Sequence, residues 1–136
     1  MRRSAIWITA SAIVVAACSS SSVDPELAGF CDRAVEAVRL NYAATHYGGT
    51  DQDELRDLME RAAEASGELY GGSAPTAIAS EWETIREYGS GSVSAEAFVE
   101  ADFRAREYAA ANCDGLSLSA DGVLELDEEA RRSTDI

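Results

Sequence analysis

Lysine is absent from this chain, and so are the motifs that announce an enzyme. All 11 basic residues are arginine. Lysine codons are A-rich, so the omission points to a GC-rich genome and carries no function. There is no Gly-rich phosphate loop, no G-x-S-x-G and no H-E-x-x-H, which excludes the recognisable signatures of nucleotide binding, serine hydrolysis and zinc proteolysis. A basic surface interleaved with aromatics, of the kind that binds nucleic acid, is missing too. Histidine occurs once, at His46, and cysteine three times with no Cys-x-x-Cys spacing, so a thioredoxin-like redox motif is excluded. The apolar run from Ala5 to Ala17 is shorter than the roughly 20 residues that cross a bilayer.

What that short run does resemble is an export signal. Arg2 and Arg3 give a basic start, the middle is apolar and uncharged, and small residues precede a break at four serines. Val15-Ala16-Ala17-Cys18 resembles the lipobox of bacterial lipoproteins, with Val15 standing where that family usually has leucine. The resemblance covers residues 1–22 and implies a signal peptide over 1–17, cleavage before Cys18, and diacylation of Cys18. Two plainer readings stand beside it: an ordinary cleaved signal with an incidental cysteine, and an uncut signal anchor. Acyl chains contribute about 0.8 kcal/mol per buried methylene, so two or three hold a protein on a membrane far better than one. Residues 18–23, the lipidated Cys and its serines, then read as a short flexible tether. The location implied is the cell membrane, on its extracytoplasmic face.

Removing residues 1–17 leaves 119, enough for one domain with a modest core. That mature chain holds 25 Asp and Glu against 9 Arg, a formal charge of −16. Such a surface repels nucleic acid and anionic headgroups and steers a basic protein partner toward it. It also serves the simpler purpose of keeping a small exported domain soluble.

Three cysteines are an odd number. With Cys18 acylated as the lipobox resemblance implies, Cys31 and Cys113 remain, in a compartment that permits oxidation, and they are expected to pair. The loop so closed is long, worth on the order of 4 to 5 kcal/mol in the chain-entropy model. One imidazole with two cysteines makes an incomplete structural zinc set. No metal and no cofactor are expected.

Between the cysteines the apolar residues recur at helical spacing. Asp24-Pro25 opens a first helix, with an N-cap acceptor followed by proline at the first helical position; Leu27, Cys31, Ala34, Val38, Tyr42 and Thr45 share a face, with Phe30 and Ala37 alongside. Tyr47-Gly48-Gly49 stops it. A second helix begins at Thr50, with Asp53 three residues on, and carries Leu55, Leu58, Met59, Ala62, Ser66 and Leu69 up to Gly71-Gly72. A third opens at Ser73-Ala74-Pro75 and carries Ile78, Trp82 and Ile85. Ser94 caps a fourth, with Phe98, Ala101, Ala105, Tyr108, Ala109 and Asn112 on one face. The expected fold is all-α: an antiparallel four-helix up-down bundle over residues 24–115, stapled by one disulfide at the end where the first helix starts and the fourth stops. In residues 116–136, Leu116 to Leu118 alternates, Asp121-Gly122 is a turn pair and Val123, Leu124 and Leu126 follow. An irregular segment or short β-hairpin lying on the bundle is expected there, with a frayed helical turn or tail from Glu128. A lipobox, a serine tether, Phe30-Cys31 in the first helix and Ala111-Asn112-Cys113 closing the last together resemble small exported helical proteins of actinobacteria. That resemblance brings no activity with it.

Two sets of side chains are candidates for function. Asp51, Asp53, Glu54 and Asp57 form an acidic cluster at the start of the second helix. It is a candidate binding surface for a basic partner; the calcium-loop spacing of an EF-hand is missing, and a solvated helix start is the simpler account. His46 falls at a helix C-terminus, where positive charge is favoured. The reading preferred from sequence is a non-catalytic lipoprotein whose helical domain binds a protein or small ligand at the cell envelope. The alternatives are a small envelope enzyme or metal-dependent module using His46 with nearby carboxylates, and a structural spacer.

Overall fold

A computed structural model describes residues 24–134. The signal peptide, Cys18 and the serine tether lie outside the described residues. Five helices and one two-stranded antiparallel sheet follow in the order α1 (Pro25–Thr45), α2 (Gln52–Gly71), a 3-10 turn (Thr76–Ile78) leading into α3 (Ala79–Tyr88), α4 (Ala95–Asn112), β1 (Leu116–Leu118), β2 (Leu124–Leu126) and α5 (Glu128–Ser133).

The helix starts are set by side chains. The Asp24 carboxylate accepts from the Glu26 N–H with Pro25 in the first turn, and Ser94 Oγ accepts from the Ala97 N–H, each satisfying a donor that has no partner inside its helix. The start of α2 differs from the sequence expectation. Its cap is Asp51, whose carboxylate accepts from the N–H groups of Asp53 and Glu54, and Thr50 lies outside the helix. A carboxylate reaching two orphan donors at the positive end of the helix dipole is a stronger cap than a hydroxyl.

The molecule is mostly helical, with the sheet set into it. α1 packs chiefly on α2 and α3 chiefly on α4, so the helices associate as two hairpins, and direct contact between the hairpins through α1 and α4 is slight. The β-hairpin lies between them, β1 against α4 and β2 against α1. Its register pairs Leu116 with Leu126 and Leu118 with Leu124. Leu116 and Leu126 are both buried, which gives a two-stranded unit the apolar cover it needs. Gly122, at φ +77°, closes the turn in the left-handed region that favours glycine, with Phe103 packed close to it.

Among the described residues, eight of the seventeen buried hydrophobic residues are alanines, including Ala34 and Ala37 of α1 and Ala62 and Ala65 of α2. Small faces let helices approach closely but bury little apolar mass, so the few large side chains at the joint carry much of the packing. Phe30 of α1 meets Trp82 of α3 edge to face at 5.4 Å, and Trp82 stacks on Tyr70 of α2 at 5.4 Å. The buried stripe of α1 runs Phe30, Ala34, Ala37, Leu40, Ala43. It is rotated from the expected face because α1 is covered by α2 on one side and β2 on the other; Cys31, Val38 and Tyr42 stay half-buried. On α2 no residue before Ala62 is buried and Met59 is 58% exposed, since α3 and α4 do not cover those first turns.

Cys31 and Cys113 are disulfide-bonded, with Cα atoms 5.2 Å apart across a sequence separation of 82. We expect the double variant Cys31→Ala/Cys113→Ala to lose about 4 kcal/mol of unfolding free energy, the loop-closure value for a ring of this length. Urea denaturation of the variant against the oxidised protein measures it. A loss under about 1 kcal/mol would mean that the joint between the hairpins holds without the bond.

Candidate functional site

The acidic cluster read from sequence is placed at the exposed start of α2, and most of it is already engaged. Asp51 is the cap described above. Asp53 pairs with Arg56 at 2.9 Å, Glu54 accepts from the Tyr47 hydroxyl at 2.8 Å, and Asp57 lies 4.0 Å from Arg61. These are contacts within the helix and with the loop before it, and they are what a carboxylate-rich first turn makes for itself. The hydrogen bond to Glu54 holds the Tyr47 phenol above the ordinary tyrosine range, because the neutral hydroxyl is the donor. Among the described residues no group of three or more His, Cys, Asp or Glu side chains is disposed to hold a metal ion.

His46 is the C-cap residue of α1. Its Nδ1 lies 3.0 Å from the Tyr42 carbonyl oxygen and its ring stacks on Tyr42 at 4.1 Å. No hydrogen bond or ion pair joins it to a carboxylate among the described residues. Instead it stands at the edge of a groove.

That groove, of about 460 Å³, opens between the C-terminal half of α1, the last turns of α2, and β2. It exists because the β-hairpin leans on α1 without filling the space beside Leu69 and Tyr70. Buried Ala37, Leu69 and Leu126 form its floor, with Val38 and Leu124 half-buried beside them. Asn41 and Ser66 on its wall bond within the protein: the Asn41 amide donates to the Ala37 carbonyl and to Ser66 Oγ, and the Ser66 hydroxyl donates to the Ala62 carbonyl. A second, smaller gap of about 30 Å³ lies beneath, lined by Phe30, Ala34 and Trp82 and sharing Leu69, Tyr70, Arg106 and Leu124 with the groove. It marks the place where the two helical hairpins do not meet.

Two arginines line the groove and differ in their state. Arg106 on α4 pairs with Asp102 at 2.8 Å and donates to the Gly122 carbonyl, tying α4 to the β-turn. The Arg131 guanidinium on α5 makes no hydrogen bond among the described residues; it forms a looser ion pair with Glu125, 3.9 Å away. Tyr70 completes the rim. Burial pushes its phenol above the ordinary range, and the Asp102 charge adds to the shift while Arg106 opposes it.

A different cleft, beside the disulfide, is lined by Asp32, Glu36 and Asp114 without a cation. There the hydrogen bond from Arg39 holds the Glu36 carboxyl below its usual range. With one wall acidic and open, it lacks the mixed apolar and polar lining that marks ligand sites.

Tyr70, Arg106, Leu124 and Arg131 were not among the candidates read from sequence. The alternation around Leu124 signals a strand, but nothing in it says that the strand returns to α1. Compared with protein-family models, with curated proteins and with solved structures, the chain gives no match.

The geometry at the start of α2 gives two expectations. Asp51→Ala should cost about 1 kcal/mol of stability through loss of the cap, read by thermal or urea unfolding. In an ultraviolet titration, Glu54→Gln should bring one of the five tyrosines down toward the ordinary range. The sign follows from the raised folded-state value: the contact stabilises the fold below the unfolded tyrosine pKa and is lost as pH rises through the folded one. An unchanged titration in Glu54→Gln would remove that contact from the solution structure.

Proposed function

We propose that the chain is an exported lipoprotein, anchored through acylated Cys18 on the extracytoplasmic face of the cell membrane, whose helical domain binds a small ligand without catalysis. The groove between α1, α2 and β2 carries the binding part of this reading. Its volume of about 460 Å³ falls within the range of small-molecule sites, its floor is apolar, and a few polar groups converge on its rim. Export rests on the lipobox resemblance. The Cys31–Cys113 bond supports it, because such bonds persist in oxidising compartments and are rare in the cytosol.

The groove favours a small ligand over a basic protein docking on Asp51, Asp53, Glu54 and Asp57, since those carboxylates already serve the start of α2. Catalysis through His46 has less support: Tyr42 accounts for both its stacking and its hydrogen bond.

Native mass spectrometry of the full-length protein, released from its own membrane in a non-ionic detergent, tests both parts. We expect a diacylated Cys18, a gain of two hydrogens on reduction, and a noncovalent adduct that disappears in Val38→Trp, where an indole fills the groove. An unlipidated mass overturns the anchor. An adduct of equal occupancy in the wild type and Val38→Trp, or none in either, overturns the groove as the binding site.

A further inference from the structure

Neither sulfur of the disulfide belongs to the groove, and the two differ in their surroundings. Cys113 is 4% exposed. Cys31 is half-buried and lines the cleft of about 400 Å³ between α1 and the end of α4. Exchange with a thiol begins when a thiolate attacks one sulfur and the other leaves, so access decides which sulfur is attacked.

The charge in that cleft has one sign. Leu27, Ala28 and Val35 form its apolar part, Asp32, Glu36 and Asp114 its carboxylates, and no arginine lines it. Arg39 pairs with Glu36 at 2.8 Å, so Glu36 adds no net charge. Asp32 and Asp114 are exposed and make no hydrogen bond or ion pair among the described residues. Arg33, next to Asp32 in the chain, donates instead to the Ser73 carbonyl beyond the end of α2. The backbone adds to the two carboxylates. The Asn112 carbonyl oxygen stands 3.7 Å from Cys31 Sγ, at the C-terminal end of α4, where the helix dipole is negative and the last turn has no basic residue.

From these placements we propose that Cys31 Sγ is the site of thiol exchange in this protein, reached through the cleft, and that it favours small cationic thiols over anionic ones. A thiolate attacks Cys31 Sγ and bonds to it. The S–S bond breaks with its electron pair passing to Cys113 Sγ, which leaves as a thiolate and takes a proton from solvent. A second thiolate attacks the sulfur that the first placed on Cys31, which releases the small disulfide and the Cys31 thiolate. Two thiols are oxidised and one protein disulfide is reduced. An ammonium tail cancels the charge of the attacking thiolate and a sulfonate tail doubles it. Repulsion from Asp32, Asp114 and the end of α4 grows in that order. Exchange at Cys31 opens the covalent link between the two hairpins, whether or not the groove holds a ligand.

The test reduces the full-length oxidised protein, in a non-ionic detergent, with cysteamine, 2-mercaptoethanol or 2-mercaptoethanesulfonate. Each rate is taken per thiolate and divided by the rate of the same thiol on the uncharged disulfide of N-acetylcysteine amide, which removes differences in nucleophilicity. We expect the normalised rates to fall in the order given. Cysteamine should lead the sulfonate about tenfold at low salt and about twofold near 1 M, where the screening length is about 3 Å. Asp32→Asn/Asp114→Asn should lower the low-salt ratio to about threefold, with helical circular dichroism unchanged. Acid quenching and peptide mapping at low pH should find the first adduct on Cys31. Equal normalised rates for the three thiols overturn the selectivity. A ratio unchanged in the double variant assigns it to the net charge of the chain and overturns the cleft as its source. Adducts on Cys113, or a rate independent of thiol concentration, overturn Cys31 as the sulfur reached from solvent.

Discussion

Two helical hairpins that barely touch along their lengths are held together at one end, and the rest of the structure depends on that joint. Cys31 joins α1 to the residue after α4, Phe30 and Trp82 pack edge to face across the same boundary, and Tyr108 approaches Phe30 from α4 at 6.4 Å. An edge-to-face pair adds about 0.5–1.5 kcal/mol beyond its burial, and closing a ring of this length adds several times more. A core in which alanine is the commonest residue has little else of that size to offer.

The same end solves a second problem. α2 finishes without a basic residue in its last turn, so its terminal carbonyls, the negative end of the helix dipole, need donors from elsewhere. They come from the neighbouring helices. Arg33 on α1 donates to the Ser73 carbonyl at 2.5 Å, Arg86 on α3 to the carbonyls of Tyr70 and Gly72, and Trp82 Nε1 to that of Gly72 at 3.1 Å. A side chain at Gly72 would displace the Arg33 guanidinium, whose Nε lies 2.5 Å from where a Cβ would stand. These bonds fix the backbone at Tyr70, and Tyr70 is the residue that stands between Trp82 at the joint and the rim of the groove. The position of the site is therefore set from the disulfide end, through the last turn of α2.

Much of the fold was legible in the sequence because it is local. Asp24-Pro25, Ser94, the Asp121-Gly122 turn and the alternation on either side of it each act over a few residues, and the structure has the elements they announce. The Cys31–Cys113 pairing was legible for another reason: with Cys18 set aside by the lipobox resemblance, the two remaining cysteines have one partner each. The start of α2 was read at Thr50 from the spacing to Asp53, one residue short of Asp51, whose carboxylate caps the helix. Met59 and the first turns of α2 were expected inside because periodicity reports which face of a helix is apolar and not whether anything covers it. The four-helix arrangement was drawn without a place for the sheet, and β2 lies against α1. The groove follows from that contact, which joins residues more than eighty positions apart. Arg131 was read only as part of a frayed C-terminal turn; Asp127 caps that turn through the Ala130 N–H and its own N–H bonds the Gly115 carbonyl, which is how a terminal arginine comes to a fixed place beside β2.

An acidic exterior and a cation in an apolar groove act over different distances. At physiological ionic strength the field of surface charges falls off over roughly 8 Å, so the net charge governs how the domain as a whole meets a bilayer or another protein, and it disfavours close approach to anionic headgroups. Arg131 acts only at contact, where its exposed guanidinium stands 3.9 Å from the Glu125 carboxylate and water shares its donors. On the proposed reading of a domain tethered to a membrane, this separates standing off from the lipid sheet from holding a ligand in the groove. The separation depends on the groove being lined by one acidic residue while the exterior carries nearly all the others.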